Sequence, residues 1–236
     1  MTIEQLLFID IETVPLTRTY DELPEVMQQL WTKKSVLLDS VASPVQTYAE
    51  RAGIYAEFGK IICIGLGYFV QENQELQLRV KTIYHHNEQV LLEEFAKRCS
   101  TFFKQHERIF CGHNIREFDI PYICRRTLIQ NLSLTQPLRD LQRKKPWENT
   151  MLDTMQYWKF GEYKNFVSVE LLATILGIPT PKDDIFGGDV ARVYWEDNNL
   201  ERVVAYCNKD IVTVAQLYLR LQGFPLLQNN QIHIIP

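Results

Sequence analysis

The first hydrophobic segment of the chain predicts a buried β-strand that carries two acids. Residues 6–15 read LLFIDIETVP, in which Asp10 and Glu12 interrupt an otherwise apolar run. Successive side chains of a strand point to opposite faces, so these two carboxylates share one face with Phe8, roughly 6–7 Å apart along the strand. The apolar residues at the odd positions face the other way. Two negative charges side by side in such a strand require a chemical explanation.

Hydrophobic periodicity further along the chain predicts an alternation of strands and helices. Segments 60–70 and 76–85, joined by the turn-rich sequence QENQE, are typical of a β-hairpin. Asn87 and Ser168 are expected to cap the helices that follow them, and Gly177 to end the second of these helices. The other predicted elements are a strand at 108–114, a short strand that enters a helix within 150–158, and helices at 88–104, 117–128, 169–176 and 199–222.

The order of these elements predicts an α/β fold. An antiparallel meander followed by crossover units favours one mixed sheet with helices on both faces. Five strands are predicted, with the first strand near the middle of the sheet. We interpret residues 1–236 as a single domain, with a helical insertion at 14–58 packed on it and a C-terminal tail at 223–236.

Composition argues against several other classes of protein. The chain has 236 residues and a formal net charge of −4, so a polyanion must be bound through local basic groups or bound cations. The five cysteines form no C-x-x-C pair, which is typical of reduced core residues and not of a disulfide or zinc framework. No apolar run approaches the ~18–20 residues of a membrane helix, and no signal peptide is evident. We therefore expect a cytoplasmic protein.

The two acids of the first strand have an ordinary and a chemical interpretation. Asp10 alone is typical of a turn or a helix cap, and Glu12 alone of a solvated position beyond the strand. As a close pair on one face they would repel each other, and one would bind a proton unless a cation lay between them. Carboxylate oxygens are the ligands that Mg²⁺ and Mn²⁺ prefer.

Two later segments add a tyrosine and two further acids. The helix at 199–222 places Tyr206 one turn before Asp210, so their side chains are neighbours; they also fit a tyrosine at the core margin and a surface acid. In the sequence GHNIREFDIPYI, Asp119 falls in the first turn of a helix, where the helix dipole alone would favour an acid. Each signal is weak by itself, and their fixed order along the chain is more specific.

Together, the stretches FIDIET, GHNIREFDIPYI and YCNKD resemble the motifs of the DEDDy family of 3′→5′ exonucleases. Within that family, the chain resembles the stand-alone bacterial exonucleases related to the proofreading domain of family B DNA polymerases. The resemblance extends from about residue 5 to residue 222. It implies an RNase H-like fold and metal-dependent hydrolysis of phosphodiester bonds.

The resemblance also implies a role for each acid. Asp10 would bridge two divalent cations, Mg²⁺ or Mn²⁺. Glu12 and Asp210 would complete one or both sites, and Asp119 would hold the second ion partly through water. Tyr206 would position the attacking water or help to deprotonate it, and we expect orientation to be its role because an ordinary tyrosine pKa is near 10.

Four further residues are candidates for contacts with the substrate. By the same resemblance, Thr13 and Asn114 would contact the terminal nucleotide, and His113 occupies a position that is often aromatic in the family. Phe118 has two interpretations. It could stack on a base, as aromatic platforms do in single-strand binding, or it could be an ordinary core residue.

A basic stretch could follow a phosphate backbone, although a run of charges is also typical of a solvated loop. The net charge of the chain is consistent with both interpretations. The basic residues are Arg125, Arg126, Arg139, Arg143, Lys144 and Lys145, with Trp147 adjacent.

The predicted function is removal of nucleotides from single-stranded or frayed DNA 3′ ends. An RNA 3′-end trimmer of the same fold is the first alternative, because no residue that we can identify senses a 2′-hydroxyl group. The second alternative is a non-catalytic nucleic-acid-binding or partner module, against which the intact set of motif residues argues. We expect proofreading to require a separate DNA polymerase, with DNA repair or end processing as equal alternatives, and we expect no membrane partner.

Overall fold

In the computed structural model of the protein, residues 2–104, 108–141, 144–145, 148, 151–163, 166–179 and 185–235 are described. The strands within these ranges are β1 (Leu6–Pro15), β2 (Gly59–Glu72), β3 (Glu75–Tyr84), β4 (Ile109–Gly112), β5 (Leu152–Asp153) and β6 (Ile232–Ile234). They form one sheet in the order β5-β4-β1-β2-β3-β6. The β1–β2 and β2–β3 pairs are antiparallel, whereas the β1–β4, β4–β5 and β3–β6 pairs are parallel. β1 therefore lies in the interior of the sheet.

The α/β class and the mixed sheet are confirmed, but the described sheet has one strand more than the five predicted. The additional strand is β6, which lies within the segment that the sequence pattern assigns to a tail. Leu78 and Val80 of β3 pair with Ile232 and Ile234. Three residues are too few to display a period-two pattern, and the strand forms because the open edge of β3 offers unpaired backbone groups.

Helices within the described ranges cover both faces of the sheet. They are α1 (Glu25–Leu38), α2 (Pro44–Arg51), α3 (Glu88–Lys104), α4 (Asp119–Ile129), α5 (Gln136–Leu141), α6 (Thr154–Lys159), α7 (Val169–Ile175), α8 (Val190–Trp195) and α9 (Leu200–Leu221). The predicted caps are confirmed, since Asn87 Oδ1 accepts from Gln89 N–H at 2.9 Å and Ser168 Oγ from Leu171 N–H at 3.2 Å. Gly177, with a φ of +63°, follows the end of α7. No described helix has the length and apolarity to span a lipid bilayer.

The two faces of β1 meet different helices, as the alternating pattern predicts. Leu7 belongs to a core that includes Phe95 of α3, whereas Phe8 packs in a second core with Ile211 of α9. Because Asp10 lies two residues after Phe8, its carboxylate points toward α9. A strand buried on both faces explains why β1 is almost continuously apolar.

The segment between β1 and β2 forms a helical unit that packs against the end of β1. Because β1 continues to Pro15, this helical segment begins two positions later than predicted. Its own core surrounds Trp31, whose indole N–H donates to a backbone carbonyl at 2.9 Å. Near the C-terminal end of the segment, Gly53 O accepts from the Tyr122 hydroxyl at 2.8 Å, which joins the unit to α4.

A buried ion pair connects this helical segment with β2, α3 and α4. Arg126 Nε donates to Glu88 Oε1 at 2.9 Å, and Arg126 Nη1 donates to Ala56 O at 2.9 Å. The same glutamate accepts from Ile61 N–H at 2.7 Å and from Gln130 Nε2 at 2.7 Å. Arg126 is only 2% exposed, so the prediction that it belongs to a basic surface stretch is wrong. Its guanidinium balances the negative charge of the buried Glu88 carboxylate.

Removal of this ion pair should destabilise the fold strongly. We expect Arg126→Ala to lower the free energy of unfolding by about 3–5 kcal/mol, because the Glu88 charge would stay buried without the cation that balances it. The matched control is Arg79→Ala, which removes an exposed ion pair with Glu72 at 2.8 Å and should cost no more than about 1 kcal/mol. Chemical denaturation measures both changes. Similar losses in the two variants would contradict the assigned role.

Candidate active site

Asp10 and Glu12 lie where the pairing of β1 with β2 becomes irregular. A register shift between Glu12 and Thr13 leaves one extra residue on β2, and such bulges re-aim side chains. Carboxylate oxygens of Asp10 and Glu12 lie within 4.8 Å of each other and of the Cys207 sulfur on α9. Glu12 is buried and Asp10 is half-buried. The two acids therefore form a close pair with little access to water.

α9 brings a tyrosine, a cysteine and a third acid to the same place. The Cys207 thiol lies 3.7 Å from Asp10 Oδ2, toward which it donates. One residue earlier, Tyr206 shares a hydrogen bond with Asp210 across one helical turn, as the spacing of these residues predicts. Asp210 is close enough to raise the pKa values of both Asp10 and Glu12.

Asp119, the first residue of α4, is held against β1 through the backbone. Its Oδ1 accepts from the Ile11 N–H at 3.0 Å. The side chain is 3% exposed, and its charge also raises the pKa values of Asp10 and Glu12. The structure therefore brings the four predicted acids together from three separate elements, with Tyr206 beside them.

Burial makes these carboxylates resist ionisation. Desolvation is the main cause that raises the pKa of Asp10, and the charges of Asp119 and Asp210 raise it further. The pKa of Glu12 is raised by desolvation first and then by the charge of Asp10. Desolvation also raises the pKa of Asp119 to about 7, against the hydrogen bonds that it accepts from its own N–H and from Ile11. Buried acids that raise one another's pKa values are all ionised only when positive charge is supplied.

Tyr206 is a neutral phenol in this setting. Desolvation raises its pKa, and the neighbouring charges of Asp210 and Glu12 raise it further. A phenol with a raised pKa donates a hydrogen bond but does not act as a base at neutral pH. Its protonation state therefore favours the orientation of a bound group over proton abstraction.

The donor set fits a hard divalent cation. The nearby Cys207 thiol stays protonated, because its pKa is raised first by its hydrogen bond with Cys63 and then by burial. The ligands that remain are carboxylate oxygens, which suit Mg²⁺ or Mn²⁺ better than softer metals. A cation at this place would also offset the repulsion that raises the pKa values of the acids.

Asn114 and His113 lie in the loop that precedes α4. Asn114 has a φ of +62°, and its buried side-chain Oδ1 has no hydrogen-bond partner within the described residues. By contrast, both ring nitrogens of His113 are engaged, with Thr154 Oγ1 at 2.8 Å and Val167 O at 2.7 Å. Burial lowers the pKa of His113, so the neutral ring donates from Nε2 to the carbonyl. Contact of Asn114 with a substrate stays a prediction, whereas His113 uses its polar atoms within the protein.

Thr13 and Phe118 both line a groove that opens beside Glu12. The Thr13 hydroxyl also hydrogen-bonds with the Tyr122 hydroxyl of α4. The Phe118 ring packs against Tyr122 with its centroid at 5.4 Å. Each side chain is thus supported by the core and still borders open space, so contact of these two residues with a substrate stays a prediction.

Asp153 is a positioning residue that the sequence analysis does not identify. Its Oδ1 accepts from Asn114 N–H at 2.9 Å and from Met155 N–H at 3.0 Å, and its Oδ2 accepts from Arg116 N–H at 3.1 Å. One buried carboxylate therefore caps α6 and fixes the loop that carries Asn114. An Asp before a helix signals the cap, but no local pattern indicates the reach across 39 positions.

The rest of the predicted basic stretch is only partly described. Arg125 and Arg139 are exposed, as are Lys144 and Lys145, and contact of these side chains with nucleic acid stays a prediction. Arg143 and Trp147 lie outside the described residues.

The mixed α/β sheet, with acids gathered at an interior strand, is consistent with an RNase H-like exonuclease fold. A family model described as a predicted 3′-5′ exonuclease related to the exonuclease domain of PolB matches residues 54–229. The chain belongs to this family. The matched range contains Asp119, Tyr206 and Asp210, whereas β1 with its two acids precedes it. No curated protein matches the chain at a significant level.

The raised pKa of Asp119 predicts a pH-dependent stability when divalent cations are removed with a chelator. The unfolded chain loses this proton near pH 4, whereas the folded chain keeps it to about pH 7. Because the folded state binds more protons in this interval, stability should fall as the pH rises through it. We expect the melting temperature to drop by several degrees between about pH 5 and about pH 8, as each kcal/mol corresponds to roughly 2–4 °C.

The control for this pH dependence is Asp119→Asn. The amide oxygen can still accept from the Ile11 N–H, but the side chain no longer titrates. Its melting temperature should therefore change less with pH than that of the wild-type protein. The same slope in both proteins would contradict a buried, protonated Asp119.

Loss of Asp153 should destabilise the loop that it holds. We expect Asp153→Ala to cost roughly 1–3 kcal/mol in the free energy of unfolding, because buried N–H groups lose their acceptor. Asp153→Asn keeps one oxygen and should cost less. Hydrogen exchange at the amides of Asn114 and Arg116 reports the local effect. Unchanged protection of these amides in Asp153→Ala would show that the carboxylate does not fix the loop.

Proposed function

We propose that the protein is a divalent-metal-dependent 3′–5′ exonuclease that removes nucleotides from single-stranded or frayed DNA 3′ ends. The observation that carries this proposal is the convergence of four acids from β1, α4 and α9 on one poorly solvated place. Membership of a predicted 3′-5′ exonuclease family supports the reaction class. The relation of that family to a DNA polymerase domain favours DNA as the substrate.

The proposed metal ligands are Asp10, Glu12, Asp119 and Asp210. When bound, two divalent ions would supply an activated water and stabilise the departing 3′-oxygen. The protein holds the ligands in place through its own backbone and core. The Ile11 N–H directs Asp119, and β1 is fixed on both sides by neighbouring strands.

Tyr206 has a different task in this proposal. Its neutral hydroxyl, which donates to Asp210, would accept a hydrogen bond from the attacking water and orient it next to the acids. Asn114, whose buried Oδ1 has no hydrogen-bond partner within the described residues, would turn this oxygen toward the terminal nucleotide and accept a hydrogen bond from it. Phe118, at the edge of the groove, would stack on a base. A role in proofreading would require a separate DNA polymerase, whereas repair or end processing would not.

Hydrolysis of 5′-labelled oligonucleotides tests the proposal. DNA and RNA of matched sequence are incubated with Mg²⁺, with Mn²⁺ or with chelator, and the products are separated by length. We expect a single-nucleotide ladder from DNA that requires metal. Asp10→Ala should lower the rate by at least about a hundredfold, because loss of metal-assisted stabilisation costs several kcal/mol.

The variants distinguish the roles of the site residues. Tyr206→Phe should slow turnover by about ten- to hundredfold, as for a group that orients a ligand, while metal binding measured by calorimetry persists. Glu201→Gln, an exposed acid on the same helix, is the matched control and should keep full activity. Equal degradation by Asp10→Ala and wild type would refute the enzyme assignment, and a ladder from RNA alone would reassign the substrate.

A further inference from the structure

A groove of about 810 Å³ leads outward from the candidate active site. Glu12 and Thr13 are part of its lining, so the groove is continuous with the acids. One side is formed by the segment between β1 and β2, including Gly53, and the other by α8 with the residues that flank it. Ligand sites typically measure about 300–1,000 Å³. This volume is enough for a few nucleotides of one strand.

Each side of the groove presents an arginine. Arg18 is exposed, and its backbone N–H donates to Glu22 Oε2 at 3.0 Å, which fixes the chain at this point. Arg192, on the opposite side, is anchored by Asp197 at 2.9 Å and by Asp189 at 3.6 Å. Its side chain is nevertheless 45% exposed. Two guanidinium groups facing one groove can donate to successive phosphates of a single strand.

The groove also contains aromatic surface. Phe118 lies on the side of α4, and Trp195 on the side of α8. The Trp195 indole N–H donates to Pro15 O at 3.2 Å, and the Lys60 ammonium lies 4.6 Å from the centroid of its ring. These contacts fix the ring in the wall. Aromatic surface combined with basic groups is the usual composition of a site for single-stranded nucleic acid.

Two glycines keep the groove open beside Tyr206. A Cβ atom on Gly188 would meet no heavy atom within 4 Å, and one on Gly187 would lie 3.9 Å from the Tyr206 hydroxyl. Both glycines line the groove. The wall next to the proposed water-orienting group therefore carries no side chains, which leaves space at the reacting end.

We propose that the segment between β1 and β2 and helix α8 form the two walls of a channel for one unpaired strand, behind its 3′-terminal nucleotide. Arg18 contacts a phosphate of that strand in this channel. The inference rests on the proposed function, and it assigns the helical segment a role in binding the substrate strand. In this proposal a paired 3′ end separates before it enters the channel.

Two substrates of different length test the channel. Thymidine 5′-(p-nitrophenyl phosphate) occupies only the terminal position, whereas a single-stranded oligonucleotide extends into the groove. We expect Arg18→Ala to lose roughly tenfold more kcat/KM on the oligonucleotide than on the ester, mainly through KM. The salt dependence of oligonucleotide binding should decrease by a slope of about one, as for a lost phosphate contact. Arg18→Lys should recover part of the loss.

Arg51→Ala is the matched control, because Arg51 is an exposed arginine of the same segment and is not part of the groove wall. It should behave like the wild-type protein on both substrates. Equal losses of Arg18→Ala on both substrates, or the same loss in Arg51→Ala, would overturn the channel. If the wild-type protein hydrolyses neither substrate, the proposed function fails on its own.

Binding measurements decide the channel even in that case. Fluorescence anisotropy of a labelled single strand, measured in chelator, should show weaker binding for Arg18→Ala than for wild type and Arg51→Ala. A blunt duplex of the same sequence should bind more weakly than the single strand to the wild-type protein. Equal affinities of all three proteins, or equal binding of duplex and single strand, would refute the channel.

Discussion

The mutual repulsion of buried carboxylates is the constraint on which this structure depends. Removing an ionised acid from water costs free energy, and each additional acid nearby increases that cost. Asp10 and Glu12 nonetheless lie within 4.8 Å of each other, and Asp119 and Asp210 act on both. Such a group persists only because strong interactions elsewhere hold its elements in place, or because a cation offsets the charge. A site that binds divalent metal has this design, because the carboxylates repel one another without the ion and attract the ion when it binds.

The supporting interactions lie around the acids and not among them. β1 is paired on both sides, so its backbone cannot relax away from the repulsion. The Glu88–Arg126 pair joins α3 to α4 in the core, and Asp153 fixes the loop before α4. On the other face of the sheet from α3 and α4, the apolar stripe of α9 packs against Phe8. The position of each acid is therefore determined by core packing and buried hydrogen bonds, which the surface charges affect little.

The geometry links the proposed chemistry to the proposed choice of substrate. Tyr206 borders both the acids and the glycine-lined part of the groove. In the channel that we propose, a strand that enters beside Arg18 and Arg192 reaches the acids at its end. In this proposal the helical segment that follows β1, outside most of the range matched by the family model, belongs to the same functional surface. An overall charge of −4 is compatible with this use, because local basic groups such as Arg18 and Arg192 line the groove.

The sequence by itself determined the acids, their spacing and the elements that carry them. Period-two alternation put Asp10 on the face of Phe8, helical spacing paired Tyr206 with Asp210, and the capping residues marked the helix ends, because each of these signals is local. Only the tertiary structure decided whether the sixth strand forms, whether Arg126 is buried and which distant backbone groups Asp153 binds. Those features depend on partners tens of residues away in the sequence. Such contacts form only when the core packs, and they produce no periodic pattern in the sequence. The groove also could not be predicted from the sequence, because its walls come from segments that meet only after folding.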